Sequence, residues 1–305
     1  MGSTSDSRRT AGRSGRNTER HRTGRGGTLK PRSPLQCRVG PDLTPTLRAD
    51  ARELIQDFIA SKRRSAGAKR LVVGLSGGID SALVAKLAAD ACGPRQVHAL
   101  LLPVDLDDPH CRDARSWARK LGTRITVMPI RPLIEGAVRA LPGNRMTTGN
   151  IMARLRMTIL YHHAALDKGI VLGTGNKTEL ALGYFTKWGD GGADFQPIGD
   201  LYKTQVRLLA EQVGVPVAIR RKTPTAGLWP GQTDEGDLGA SYENLDRILV
   251  GIEGRLTDAE IARHGKVPLA KVRAIRARVV ANRHKRVPPM IPKLGLRTIG
   301  IDWLD

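Results

Sequence analysis

One stretch constrains this chain more than any other: Leu71-Val72-Val73-Gly74-Leu75-Ser76-Gly77-Gly78-Ile79-Asp80-Ser81-Ala82. An apolar, β-favouring run from Leu71 to Leu75 stops at a Ser-Gly-Gly turn. A helical pattern then starts, with Leu83, Val84, Leu87 and Ala88 on one face. The spacing predicts strand, tight loop, helix. Gly77 and Gly78 lack Cβ atoms, so their backbone N–H groups can approach a phosphate closely. The helix starting near Ser81 turns its unpaired N–H groups and positive dipole end toward the same point. Ser76 and Ser81 add hydroxyl donors, and Asp80 adds a carboxylate suited to Mg²⁺. A Walker A loop would need a lysine directly after its last glycine. None follows Gly78, which disfavours a kinase or GTPase.

The pattern around this stretch repeats. Leu47, Ala51, Leu54, Ile55, Phe58 and Ile59 form a helical stripe that opens the folded body. Val97 to Val104 is a near-continuous apolar run of the kind found in buried parallel strands. Asp105 to Lys120 reads as a helix closed by Gly122, and Thr123 to Ile130 as a third strand. Asn150 opens a long helix to about Asp167, and Gly169 to Leu172 is a fourth strand. Strands alternating with helices predict an α/β fold, a doubly wound and mostly parallel sheet flanked by helices. Ligands in such sheets sit at the carboxyl ends of strands, where the loop after Leu75 lies.

A second strand-to-helix turn follows, Gly173-Thr174-Gly175-Asn176-Lys177-Thr178-Glu179. It carries a carboxylate, and Asp80 and Glu179 are the pair expected on one Mg²⁺, since hard cations take oxygen ligands from separate loops. On the long helix, Arg154 and Arg156 are two residues apart and point about 200° apart. At most one of them can address a given ligand. His162 and His163 have no accompanying metal spacing and are expected to pack or to be exposed. Thr186 to Tyr202 is glycine-rich and polar, and suits substrate binding. Lys203 to Gly214 returns to a helix. Thr223 to Gly239 is irregular and long enough to be a lid that excludes water. Leu256 to Gly265 and Pro268 to Asn282 imitate a helix–turn–helix, although two short amphipathic helices are common core. No nucleic-acid partner is expected for the body.

The 305-residue chain carries a formal net charge of +21 and a pI near 10.7, which favours anionic partners. Residues 1–44 hold ten basic and three acidic side chains with almost no apolar periodicity. They are expected to be a disordered basic extension. One Arg25-Gly26-Gly27 element is a weak hint of RNA binding, and a transit peptide is a further reading. Residues 45–290 are expected to form the folded domain, and 291–305 a C-terminal tail. Cys37, Cys92 and Cys111 are isolated in sequence. That fits a reducing cytoplasm and disfavours a disulfide scaffold or a zinc site. No apolar run approaches the ~18 residues of a membrane span, so no membrane role is expected.

Ser76-Gly77-Gly78-Ile79-Asp80-Ser81 resembles the pyrophosphate loop of N-type ATP pyrophosphatases, which cleave ATP between its α- and β-phosphates. With Asn150-Ile151-Met152-Ala153-Arg154, the Gly173–Glu179 turn, Phe185 to Asp194, Ala226 to Glu235 and His284-Lys285-Arg286, the chain resembles the NAD⁺ synthetase family over about Leu47 to Pro289. The resemblance implies an adenine nucleotide alpha-hydrolase-like, Rossmann-like fold. It implies amidation of deamido-NAD⁺ through an acyl-adenylate, giving NAD⁺, AMP and pyrophosphate. It implies that Gly74, Leu75, Ser76, Gly77, Gly78, Ile79, Asp80, Ser81, Thr174, Lys203 and Thr225 hold ATP, with Asp80, Lys203 and Thr225 catalytic. Asp80 and Glu179 would hold Mg²⁺. Arg154, Lys187, Asp194, His284 and Lys285 would bind deamido-NAD⁺, and the family pattern is a homodimer. Glutamine-using relatives carry an amidase domain, and the residues before Leu47 do not look like one. Ammonia is therefore the expected nitrogen donor. A tRNA thiolase or lysidine-type ligase shares the first motif, but thiolases generally need paired cysteines. A nucleic-acid-binding protein on a nucleotide-fold scaffold is the reading outside enzymes.

Overall fold

The computed structural model describes residues 42–299. Its centre is a four-stranded, fully parallel sheet in the order β3-β2-β1-β4. The first half of the chain runs α1 (Ala51–Ser65), β1 (Leu71–Gly74), α2 (Ile79–Cys92), β2 (Val97–Leu101), α3 (Pro109–Leu121), β3 (Arg124–Val127), α4 (Arg131–Ala140), α5 (Arg145–Asp167) and β4 (Ile170–Leu172). The second half is helical: α6 (Lys177–Leu182), α7 (Lys203–Gln212), α8 (Val217–Arg220), α9 (Asp234–Leu238), α10 (Tyr242–Glu253), α11 (Asp258–Gly265) and α12 (Leu269–Ala281).

The apolar runs read as strands because they are buried on both faces. Leu71 and Val73 of β1 join one core with α1, α2, α3 and α7. Val72 points the other way and packs with Met157, Ile159 and Leu160 of α5. The expected doubly wound sheet is therefore present. The strands are shorter than their apolar runs. β2 ends at Leu101 and β3 spans only Arg124–Val127, because the residues beyond leave the sheet for the loops at its carboxyl edge. The third helix starts later than expected, at Pro109, which fixes φ for a first helical turn and is capped by Asp108 accepting from the His110 N–H at 2.8 Å. The long helix starts earlier, at Arg145, where Asn144 and Thr147 form a capping box.

A third core holds α10, α11 and α12. Ile261, Val272 and Ile275 are buried in it with Tyr242, Leu245 and Ile248. The apolar faces of the apparent helix–turn–helix are thus core. Leu43 is buried in the same cluster, and Asp42 pairs with Arg247 at 3.2 Å, so residues 42–44 lie against the body. Residues 1–41 of the expected extension, with Cys37, and residues 300–305 of the expected tail lie outside the described residues. Between Arg286 and Ile299 there is no helix or strand. Cys111 is buried beside Ala114 and Trp117, and burial pushes its thiol up. Cys92 is half-buried and free. Among the described residues, no helix is long and apolar enough to cross a membrane.

At the amino edge of the sheet, His98 is fully buried. Its Nδ1 meets Asp167 at 2.5 Å, its Nε2 meets Thr126 at 2.8 Å, and its ring packs edge-on against His163. Arg124 holds the other oxygen of Asp167 at 2.7 Å. Burial lowers the His98 pKa despite the adjacent carboxylate. The unfolded chain therefore binds the proton at higher pH than the native one. Stability is full above about pH 6.5 and falls as pH drops through that value toward the folded pKa. Asp167 is held low by His98 and Arg124 against the upward push of burial, so its own contribution disappears only at more acid pH. His98→Gln is expected to flatten the decline in melting temperature between pH 7 and 5.5. An unchanged decline in the variant would assign it to other groups.

Candidate functional site

The site lies at the carboxyl ends of β1 and β4, which are neighbours in the sheet. β1 ends at Gly74, and Leu75 continues the pairing by donating to the Leu100 carbonyl at 2.8 Å. The loop then closes on itself. Ser81 Oγ accepts from the Ser76 N–H at 3.2 Å and donates to the Gly78 carbonyl at 3.1 Å. Ser76 Oγ accepts from the Gly78 N–H at 3.3 Å. Gly77 has φ +83°, and a Cβ there would collide with the His110 carbonyl. Glycine is needed at that position for both reasons. Ile79 and Asp80 stand in the first turn of α2.

β4 makes the matching turn. Asn176 caps α6 by accepting from the Glu179 N–H at 3.0 Å, while Glu179 Oε2 accepts from the Asn176 N–H at 3.3 Å. The Asn176 side-chain amide also donates to Asp80 Oδ1 at 3.0 Å. Asn176 therefore ties the two turns together. The Asn-x-x-Glu spacing of a helix cap is the sequence signal that could have found it.

Asp80 and Glu179 do converge, and the ammonium of Lys203 lies between them. Lys203 Nζ, on the first turn of α7, pairs with Asp80 Oδ2 and lies 3.4 Å from Glu179 Oε1. Its side chain is 2% exposed. Burial works against the Lys203 charge, but Asp80 and Glu179 outweigh it and hold its pKa above the ordinary lysine value. Burial drives the Glu179 carboxyl upward, and the nearby Asp80 adds to that push while Lys203 opposes it. Asp234, itself buried, approaches from α9 and accepts from the Tyr242 hydroxyl at 2.8 Å and the Tyr184 hydroxyl at 3.2 Å. Two carboxylates converging on one point give all-oxygen donors, which fit a hard divalent cation. No group of three or more His, Cys, Asp or Glu able to hold a metal is found among the described residues.

Thr174 stands half-buried just past β4. Thr225 lies in the irregular stretch, where its hydroxyl accepts from the Gly227 N–H at 3.1 Å. That stretch is docked. Leu228 packs on Gly149 of α5, and the Arg145 guanidinium lies over Trp229, 5.2 Å from its centroid.

A cationic face runs along α5. Arg154 donates to the Lys187 carbonyl at 3.3 Å, and Lys187 Nζ donates to the His284 carbonyl at 3.1 Å. Lys285 donates to the carbonyls of Gly183 and Phe185, both at 2.7 Å. Two turns along the same face, Tyr161 donates to Asp194 Oδ1 at 3.3 Å, and Asp194 Oδ2 accepts from the Val171 N–H at 2.6 Å. The segment from Gly183 to Phe195 thus lies along α5, with Arg154 and Tyr161 of the helix joined to it at separate points. Arg156 points to the opposite side, as its offset requires. It is half-buried and donates to the Leu102 carbonyl at 3.0 Å beyond β2. Their offset separated the two arginines in direction only, and the choice of Arg154 came from the family pattern. Asp234, Tyr184 and Lys222 were not singled out: Asp234 and Lys222 reach the site from a distant part of the chain, and Tyr184 acts through Asp234.

The glycine loop after β1, the two converging carboxylates with Lys203, and a cationic face along α5 are the features of this fold that stand out. A chain so built is an ATP-using α/β enzyme. The NAD synthase family matches residues 52–289, and the chain belongs to that family. It is 42% identical over 260 residues to the NH(3)-dependent NAD(+) synthetase of Methanococcoides burtonii, covering 84% of this chain and 98% of the relative. It is 44% identical to the synthetase of the same description from Trichlorobacter lovleyi, covering 83% and 93%. Among solved structures, an NMN synthetase from Francisella tularensis superposes with a TM-score of 0.70 at 32% identity, covering 80% of this chain and 98% of that one. A glutamine-dependent NAD+ synthetase from Acinetobacter baumannii matches with a TM-score of 0.57 at 26% identity, and the match covers 49% of that longer chain.

Proposed function

We propose that this chain makes NAD⁺ from deamido-NAD⁺, ATP and ammonia, releasing AMP and pyrophosphate. The observation that carries the reading is the meeting of Asp80 and Glu179 beside the Ser76–Ser81 loop, in a chain so similar to NH(3)-dependent synthetases. A carboxylate cannot lose oxide to ammonia, so the acid must first be activated. The nicotinate carboxylate attacks the α-phosphorus of ATP, and the bond to the pyrophosphate oxygen breaks. Ammonia then attacks the acyl carbon, and AMP leaves as the C–N bond forms.

In this reading Gly74 to Ser81, Thr174, Lys203 and Thr225 hold ATP. Loop N–H groups and the α2 N-terminus receive phosphate charge. Asp80 and Glu179 would hold Mg²⁺, which neutralises phosphate charge when bound; Mg²⁺ characteristically uses one or two carboxylates plus substrate phosphates. Lys203 neutralises the same carboxylates in its absence. Arg154, Lys187, Asp194, His284 and Lys285 bind the dinucleotide. The docked segment from Thr223 to Gly239 keeps water from the acyl-adenylate. The catalytic body is residues 45–290, a span that the family match at 52–289 supports, and the protein works in the cytoplasm. A homodimer is supported by α4, none of whose residues is buried. Leu133, Val138, Leu141, Met146 and Leu166 of the α4–α5 region are exposed apolar groups that a second copy would cover.

The test is one assay with ATP, Mg²⁺, ammonium and either deamido-NAD⁺ or nicotinate mononucleotide. NAD⁺ is expected from the first acceptor, at a rate that rises as pH approaches the ammonia pKa, since NH₃ is the nucleophile. Amidation of the mononucleotide alone would assign the chain instead to the activity of its Francisella neighbour. Comparable rates with ammonia-free glutamine would overturn the nitrogen source.

A further inference from the structure

The phosphate loop carries no lysine of its own, and the fold brings one to it. Lys222 follows Gly77 by 145 residues, yet its Nζ donates to the Gly77 carbonyl at 3.3 Å. The same ammonium pairs with Asp113 of α3 at 2.5 Å and lies 3.3 Å from His110 Nδ1. Its side chain is 20% exposed. Three partners on two segments hold one cation against the back of the loop.

What it holds is a single peptide plane. The Gly77 carbonyl and the Gly78 N–H belong to one rigid, trans unit and point in opposite directions. The carbonyl end faces Lys222, and the N–H end faces Ser76 Oγ at 3.3 Å, toward the interior of the loop. Gly77 is at φ +83°. Glycine takes negative φ about as readily, so the residue itself does not select this orientation. The Ser76 hydroxyl holds the N–H end of the peptide and Lys222 its carbonyl end, and a charged donor on the carbonyl also polarises the peptide and strengthens the N–H at its other end. Lys222 stands three residues before Thr225, at the head of the docked stretch. One side chain therefore joins the loop, α3 and the segment that covers the site.

We infer that Lys222 is a positioning residue for the phosphate loop: it fixes the Gly77–Gly78 peptide with its N–H toward the pyrophosphate of ATP, in place of the lysine that follows the glycines in other phosphate loops. The inference rests on the loop binding ATP phosphates and is independent of the acceptor and of the nitrogen source.

The experiment measures binding of α,β-methylene-ATP with Mg²⁺ by calorimetry, without acceptor, to wild type, Lys222→Met and Lys222→Arg. Removing a charged donor is expected to weaken binding of the analogue about tenfold in Lys222→Met. Lys222→Arg, which can still donate to the Gly77 carbonyl, should recover to within about threefold of wild type. Deamido-NAD⁺ binding, measured the same way, should be unchanged in both, and melting temperatures should stay within a few degrees. Unaltered analogue binding in Lys222→Met overturns the inference. So does an equal loss for analogue and dinucleotide, which is what collapse of the covering segment would give, and so does failure of Lys222→Arg to recover. Wild type that binds the analogue but makes no NAD⁺ would defeat the proposed function and leave the role of Lys222 standing.

Discussion

Asp80→Asn is expected to lower NAD⁺ formation by about a hundredfold or more, with the fold retained. Asp80 is the one carboxylate in the first turn of the helix that follows the phosphate loop. Asparagine keeps the shape but removes the charge that a divalent cation needs, and added Mg²⁺ should restore little of the rate. The fold does not escape entirely. Asp80 is also a partner of the buried Lys203, so the change is not the harmless surface substitution that a loop position suggests. Glu179 remains at 3.4 Å to carry part of the compensation, so the loss should be about 1–3 kcal/mol. For a chain of this size that is roughly 3–10 °C in melting temperature. Turnover across a Mg²⁺ titration and a melting curve decide the matter together. Near-normal turnover would remove Asp80 from the chemistry, and complete unfolding would make the carboxylate mainly structural.

The larger stability effect belongs to Lys203→Met. It leaves Asp80 and Glu179 facing each other without the cation between them. Breaking a buried ion pair from one side costs about 3–5 kcal/mol, so metal-free protein should melt roughly 6–20 °C lower, and turnover should be lost. Mg²⁺ is expected to raise the melting temperature of the variant more than that of wild type, because the carboxylates are no longer neutralised from within and a cation that binds the native state stabilises it. Scanning calorimetry in EDTA and in millimolar Mg²⁺ reads this directly. Equal shifts in the two proteins would mean that these carboxylates do not form the cation site.

Much of the sheet was legible because buried parallel strands are continuous apolar runs, and Leu71–Leu75 and Val97–Leu101 are read without knowing their partners. Their ends were not legible. Leu102, Pro103 and Val104 are as apolar as the strand before them, but they lie beyond the last ladder pair. α4 was missed for a related reason. It is short, begins with Arg131-Pro132 and buries none of its residues fully, so its apolar stripe of Leu133, Ile134, Ala137 and Val138 was passed over between the third strand and the Pro142-Gly143 break. At the site, Asp80 and Glu179 were legible as carboxylates on two glycine turns. The ammonium between them was not, since Lys203 lies 123 residues from one and 24 from the other, and its role beside ATP rested on the family pattern alone. Lys222 was invisible for the same reason. Local sequence specifies caps and turns, whereas these contacts depend on how the finished sheet stacks α3, α7 and residues 223–239 around β1.

Arg154 and Arg156 leave α5 on opposite sides, one to the Gly183–Phe195 segment and the other to the end of β2. The helix is thus a wall between two workshops. On one side is the end of β2, and on the other is a segment held by α5, by the Val171 and Gly173 backbone at β4 and by the His284–Lys285 region. With the roles proposed above, rewriting residues of that segment is expected to retune which acid is accepted while ATP activation at the Ser76–Ser81 loop is kept. Chimeras exchanging residues 183–195 and 283–286 between synthetases of different acceptor preference are the natural place to look for a switch in acceptor with ATP affinity preserved.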